Sequence, residues 1–227
     1  MDVNLIGAGA NFGTEAQVDP THLALRISQR PYEVGQPNGT LAVIGGHYSI
    51  SLTSGLMAAG IASAAQVWHI RWADSTKFFI LKKLKIDVST QTAFAASSLG
   101  APLELYIGHA STANGSGGTA ATFSGLSNKM RAGFAPSAFN TSGEVRISST
   151  AAITAPTGQV LESNAIAYCG GAGALAGAIN SWRIYETLDQ GDHPLILQNG
   201  DTLALRTLNP SATGTWTFGV TMDWAEA

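Results

Sequence analysis

The chain has 227 residues and a formal net charge of −3, and charged residues make up only 12% of it, about half of the roughly 25% usual in globular domains. Its 45% hydrophobic content excludes a disordered chain, and a sequence of this length buries about 70% of its unfolded surface, enough for a core without staples. A single cysteine, Cys169, excludes an intramolecular disulfide and a cysteine-based zinc site.

Residues 1–35 combine Gly7, Gly9 and Gly13 with Val18-Asp-Pro-Thr21, and follow neither the helical nor the strand period. They read as an extended N-terminal arm ahead of one β-sandwich domain over 36–227. The Met1-Asp2 start lacks the basic-then-apolar run of a secretory signal, so no signal peptide is expected. Gly7-Ala-Gly9-Ala-Asn-Phe-Gly13 invites a dinucleotide-loop reading, but Pro20 and the missing helical face make it a plain loop. Turn signals follow at Pro37-Asn-Gly39 and Gly45-Gly46. The Ala-rich runs 55–66 and 91–98 have room for a helical turn, and the stretch 55–68 is too short and weakly apolar to cross a bilayer.

From there alternation dominates. Trp68, Ile70 and Trp72 share one face opposite His69 and Arg71; Leu84, Ile86 and Val88 oppose Lys83, Lys85 and Asp87. Leu103, Leu105 and Ile107 repeat the pattern, as do Val145 with Ile147 and Trp182 with Ile184. Pro194–Leu197, the turn Gln198-Asn-Gly-Asp201 and Thr202–Arg206 read as a hairpin, because Asn-Gly tolerates the positive φ of tight turns. The C-terminal run places Trp216, Phe218, Val220, Met222 and Trp224 on one face, a period of two that no helix face can give. About eight to ten short strands with no long helical segment predict an all-β, antiparallel, jelly-roll-like sandwich.

Few residues point to chemistry. The five histidines, 22, 47, 69, 109 and 193, lack metal-ligand spacing, and read as surface or hydrogen-bonding residues. Cys169 has no neighbouring base to lower its pKa, no Gly-x-Ser-x-Gly elbow is present, and nothing selects a carboxylate pair. No catalytic, cofactor-binding or metal-binding residue is therefore expected. Basic charge is uneven: Arg71, Lys77, Lys82, Lys83 and Lys85 lie within fifteen positions, with Lys83 and Lys85 on one strand face and Lys82 on the other. This reads either as a lysine-protected edge strand or as a contact for an acidic partner. Nucleic acid is not expected, because the chain is acidic and no aromatic residues interleave the basic ones. The triplets at Asn38, Asn114 and Asn140 fit chance in a Ser/Thr-rich chain.

Val18-Asp-Pro-Thr21 and Ala24-to-Pro31, then Gly46-to-Gly55 and Arg71-Trp-Ala-Asp-Ser-Thr76, resemble blocks of bacteriophage virion structural proteins. Gly191-to-Leu197 and Thr213-to-Trp224 are similar to the closing pattern of the same group. The resemblance implies a non-enzymatic virion component, made in the host cytoplasm: a capsid decoration (cement) protein bound to the major capsid protein and to copies of itself, expected as a trimer. Its expected partner contacts are the arm with Arg26 and Arg30, and Lys82, Lys83 and Lys85. A tail or baseplate receptor-binding protein is the alternative, with Tyr106, Tyr168 or Tyr185 offering an aromatic platform for a glycan opposite the apolar faces. A free carbohydrate-binding or cupin-like module is the third reading.

Overall fold

Hydroxyl and β-branched residues interleaved with aromatic ones favour strands with one apolar face, and two large sheets result beside a small two-stranded one. A computed structural model describes residues 17–18, 25–26, 46–58, 60–94, 102–124, 128–130, 135–170, 176–186, 194–208 and 213–227. β1 (Gln17–Val18) and β2 (Leu25–Arg26) form a two-stranded sheet of their own. The five-stranded sheet runs β3 (Gly46–Thr53), β14 (Thr215–Glu226), β5 (Phe79–Thr92), β11 (Ile179–Glu186), with β12 (Leu195–Leu197) beside the start of β5. The seven-stranded sheet runs β7 (Thr119–Ala120), β8 (Glu144–Ile147), β4 (Gln66–Arg71), β13 (Thr202–Thr207), β6 (Leu103–His109), β10 (Ala167–Cys169), with β9 (Val160–Leu161) beside the end of β6. Every strand pair is antiparallel. β3, β5, β11 and β14 lie in one sheet and β4, β6, β10 and β13 in the other, so the chain crosses between sheets repeatedly.

The core fills the space between the sheets as the alternation predicts. Trp216, Phe218, Val220, Met222 and Trp224 are all buried, as are Leu84, Ile86 and Val88. Trp68, Ile70, Leu103, Leu105, Leu203 and Leu205 meet them from the other sheet. One end is aromatic: Tyr48 stacks on Trp224 at 5.4 Å and Phe139 meets Trp72 edge-on at 5.0 Å between centroids. Such pairs add about 0.5–1.5 kcal/mol each beyond burial. Glu226, fully buried, closes this end. Its carboxylate accepts from Ser137 Oγ (2.6 Å), the Ala138 amide (3.1 Å) and Trp224 Nε1 (3.2 Å), and pairs with Lys77 Nζ (3.3 Å).

Four expectations change. Among the described residues there are fourteen strands, eight of them with four or more residues; the extra ones have two or three, too few to show a period of two. The Ala-rich run 55–66 holds no helix in its described residues, but a turn and a bridge from Met57 to Trp216; part of 91–98 lies outside them. The turn at Asn199-Gly200 forms, with Gly200 at φ 90°, yet its flanking strands do not pair. β12 joins β5 while β13 joins β4 and β6, so this is a corner between sheets. Finally, Lys82 does not point opposite to Lys83 by simple alternation. Asp223 opposes Lys83 and Trp224 opposes Leu81, so Lys82 is the extra residue of a bulge. The bulge returns Phe79 and Leu81 to the core face, where both are fully buried.

Candidate interaction surfaces

The outer face of the five-stranded sheet is built from short hydroxyl side chains that satisfy one another. Ser51 and Thr221 hydroxyls lie 2.7 Å apart, as do those of Thr92 and Thr215. Ser49 donates to Asp223 at 2.5 Å, and the Gln91 amide donates to Thr217 at 3.2 Å. The register sets these beside charges of both signs, in the rows Ser51–Thr221–Lys85–Arg183 and Ser49–Asp223–Lys83–Glu186. Lys85 pairs with Asp87 at 3.0 Å and Arg183 pairs with Glu186. Burial alone would raise the Asp87 carboxyl, but hydrogen bonds from Ser181 and Lys85 outweigh it and hold the group below its usual range.

The basic cluster of the sequence is therefore not one patch. β5 is an interior strand, flanked by β14 and β11, which overturns the edge-strand reading. Arg71 belongs to the other sheet, where it donates to Ser111 Oγ (3.1 Å) and Asn114 Oδ1 (3.0 Å). Lys77 serves Glu226 at the aromatic end. Lys82, Lys83 and Lys85 remain together, half-buried, opposite or beside Asp223 and Asp87. Arg26 closes β2, and Arg30 lies outside the described residues, as does most of the 1–35 arm with its Gly7–Gly13 loop.

The outer face of the seven-stranded sheet differs in kind. Over β4 it is covered: His69 is fully buried rather than on a solvent face. Its Nε2 lies 2.9 Å from Glu144 Oε1, an oxygen that also takes the Gly115 amide, while Arg146 Nε donates to Glu144 Oε2 at 3.0 Å. Burial would raise the Glu144 carboxyl, but these donors prevail and hold it below the usual value. At the sheet's end His109 sits between Asp201 (2.8 Å) and Glu162 (2.9 Å). The Asp201 bond, reinforced by Glu162, raises the His109 pKa against partial desolvation. His22 and His193 lie outside the described residues.

Over β6 and β10 the same face is open and aromatic. Tyr168, 56% exposed, stands opposite Glu104, which in turn stands opposite Arg206. Tyr106 donates its hydroxyl to Glu104 Oε2 at 2.9 Å, and the Arg206 guanidinium lies over its ring at 4.9 Å. Tyr185 does not join them. A register shift after Arg183 places Tyr185 opposite Leu84, where it packs against the core and its hydroxyl accepts the Leu195 amide at 2.6 Å.

Among the described residues no three His, Cys, Asp or Glu side chains group as a metal site. Cys169 is buried, and burial pushes its thiol up to about 11, away from reactivity. No protein-family model matches the chain, and no curated protein matches it. Nothing in the sequence singles out Glu226 or Glu144, because Lys77 lies 149 positions from the one and His69 lies 75 from the other. Tyr106 is legible from its alternation with Leu103, Leu105 and Ile107, whereas β10, at three residues, is too short for alternation to place Tyr168.

Proposed function

We propose that the chain is a non-enzymatic bacteriophage virion protein, a capsid decoration protein that stabilises the head by bridging copies of the major capsid protein. The observation that carries this reading is the hydroxyl lattice on the outer face of the five-stranded sheet. Its hydroxyls are bonded to each other, so covering them leaves few polar groups orphaned. Its charges are of both signs and include two ion pairs, Lys85 with Asp87 and Arg183 with Glu186, so a neighbour covering the face meets charges that already have partners. Such a face suits close packing against a neighbour. We also read the interleaved orders β3–β14–β5–β11 and β4–β13–β6–β10 as a jelly roll, an architecture common to capsid and lectin domains.

In this reading the protein assembles as a trimer, residues 1–35 with Arg26 and Arg30 anchor it to the shell, and Lys82, Lys83 and Lys85 contact an acidic neighbour. Binding to the assembled shell and not to free subunits stabilises the shell by mass action. The test adds purified full-length protein to expanded phage heads lacking it. Saturable binding and a higher head melting temperature are expected; no binding overturns the proposal. Deletion of residues 1–30 should abolish binding, and unchanged binding would remove the arm from it. Light scattering checks the trimer.

A further inference from the structure

We propose that the open aromatic face over β6 and β10 is a binding site for a neutral glycan, centred on Tyr168. Tyr168 is more than half exposed on its strand, and Ile166, 43% exposed, extends the same face beside it. The neighbouring groups are held in place before any ligand arrives. Tyr106 is fixed at both ends, by Glu104 through its hydroxyl and by Arg206 over its ring. Arg206 is fixed in turn, because its Nε donates to the Ala64 carbonyl at 2.9 Å. Ala64 is held at φ 63°, a left-handed conformation that costs a non-glycine residue about 1–2 kcal/mol. Strain kept next to a preorganised cluster is characteristic of ligand sites.

The chemistry of the cluster selects the ligand. Tyr168 offers a ring for the C–H face of a sugar, while the Glu104 carboxylate and the Arg206 fork offer paired acceptors and donors for vicinal hydroxyls. Because Arg206 and Glu104 stand opposite each other, their charges cancel, and the face has no excess positive charge for phosphate, nucleic acid or an acidic polymer. A protein partner fits poorly. Two tyrosines and one isoleucine, only partly exposed, present no more than roughly 300 Å² of apolar surface, under the roughly 450 Å² that is the non-polar share of one side of a stable protein interface. Preorganised aromatic and polar groups lower the ordering cost that a small ligand must overcome.

The test is saturation-transfer NMR on the full-length protein with neutral trisaccharides ending in glucose, galactose, rhamnose or N-acetylglucosamine. At least one is expected to bind. Tyr168→Ala should weaken that binding about tenfold or more, and Tyr168→Phe should largely keep it. Arg206→Lys should weaken it too, since an ammonium cannot fork across two hydroxyls. Exposed Tyr168 can be changed with little effect on the melting temperature, which separates loss of the site from loss of the fold. Absence of transfer to every trisaccharide overturns the proposal, as does equal binding by Tyr168→Ala. Binding of Tyr168→Ala to phage heads is expected at the wild-type level. Its loss would assign this face to assembly and overturn the glycan site, whereas failure of the native protein to bind heads leaves the sugar result standing.

Discussion

Truncating Glu226 would strand four groups at once: the Ser137 hydroxyl, the Ala138 amide, the Trp224 indole and the Lys77 ammonium. Breaking a buried pair by removing one partner costs about 3–5 kcal/mol, because the charge left behind has no compensation. Lys77 keeps some access to water, so Glu226→Ala should fall near the lower end, about 3 kcal/mol. Urea unfolding at unchanged m-value checks this, and a loss below about 1 kcal/mol would show that solvent replaces the lost bonds. His109 behaves in the opposite sense to a buried carboxylate. Its folded pKa is raised, so the folded state holds the proton more tightly. The native protein should therefore gain stability over His109→Gln below the ordinary histidine value of about 6.5, and lose that margin as pH rises through the raised value. With His109 48% exposed, screening keeps the margin within about 1 kcal/mol. Paired thermal melts across that pH range would detect it.

At the scale of elements, strands were legible and their partners were not. A period of two identifies which side chains of Thr215–Glu226 face inward, and every one of them does. Pairing depends on residues far apart in sequence, which local pattern does not encode. The Asn199-Gly200 turn shows the difference: its chemistry dictates a reversal, but the neighbours at hand decide which sheet each arm joins. The Gly200 amide donates to the Trp72 carbonyl, and the Gly200 carbonyl accepts the Ser111 amide and hydroxyl. The turn is tied to the residue just after β4 and to the start of the loop after β6, so the arms diverge. Parity fails at Lys82 and after Arg183 for a related reason, since a bulge adds one residue and inverts every assignment beyond it. Gly200→Ala would place a Cβ at φ 90°, a cost of about 1–2 kcal/mol. In a chain of this size that lowers the melting temperature by about 2–8 °C. An unchanged melt would mean that the corner relaxes to negative φ.

The whole molecule presents two outer faces of different chemistry, and the difference gives the assembly reading its sharpest test. One face is a lattice of hydroxyls on β3, β14 and β5; the other carries a buried polar network over β4 and an open tyrosine cluster over β6 and β10. If the hydroxyl face is covered in a virion, a charge introduced there must be desolvated on binding while remaining solvated in the free protein. Thr217 and Thr221 stand on that face, in register with Ser89 and Lys85, and both retain access to solvent. The double variant Thr217→Glu, Thr221→Glu gives up the bonds to Gln91 and Ser51 but sets a carboxylate opposite Lys85, so folding stability should fall by no more than about 1 kcal/mol per site. Burying either carboxylate against an acidic neighbour costs more than the ~1.4 kcal/mol that corresponds to tenfold in affinity. Binding to phage heads should therefore weaken at least tenfold, with sugar binding at the opposite face unchanged. Full head binding by this variant would show that the hydroxyl face stays in solvent, and the contact would then have to be sought on the arm at residues 1–35.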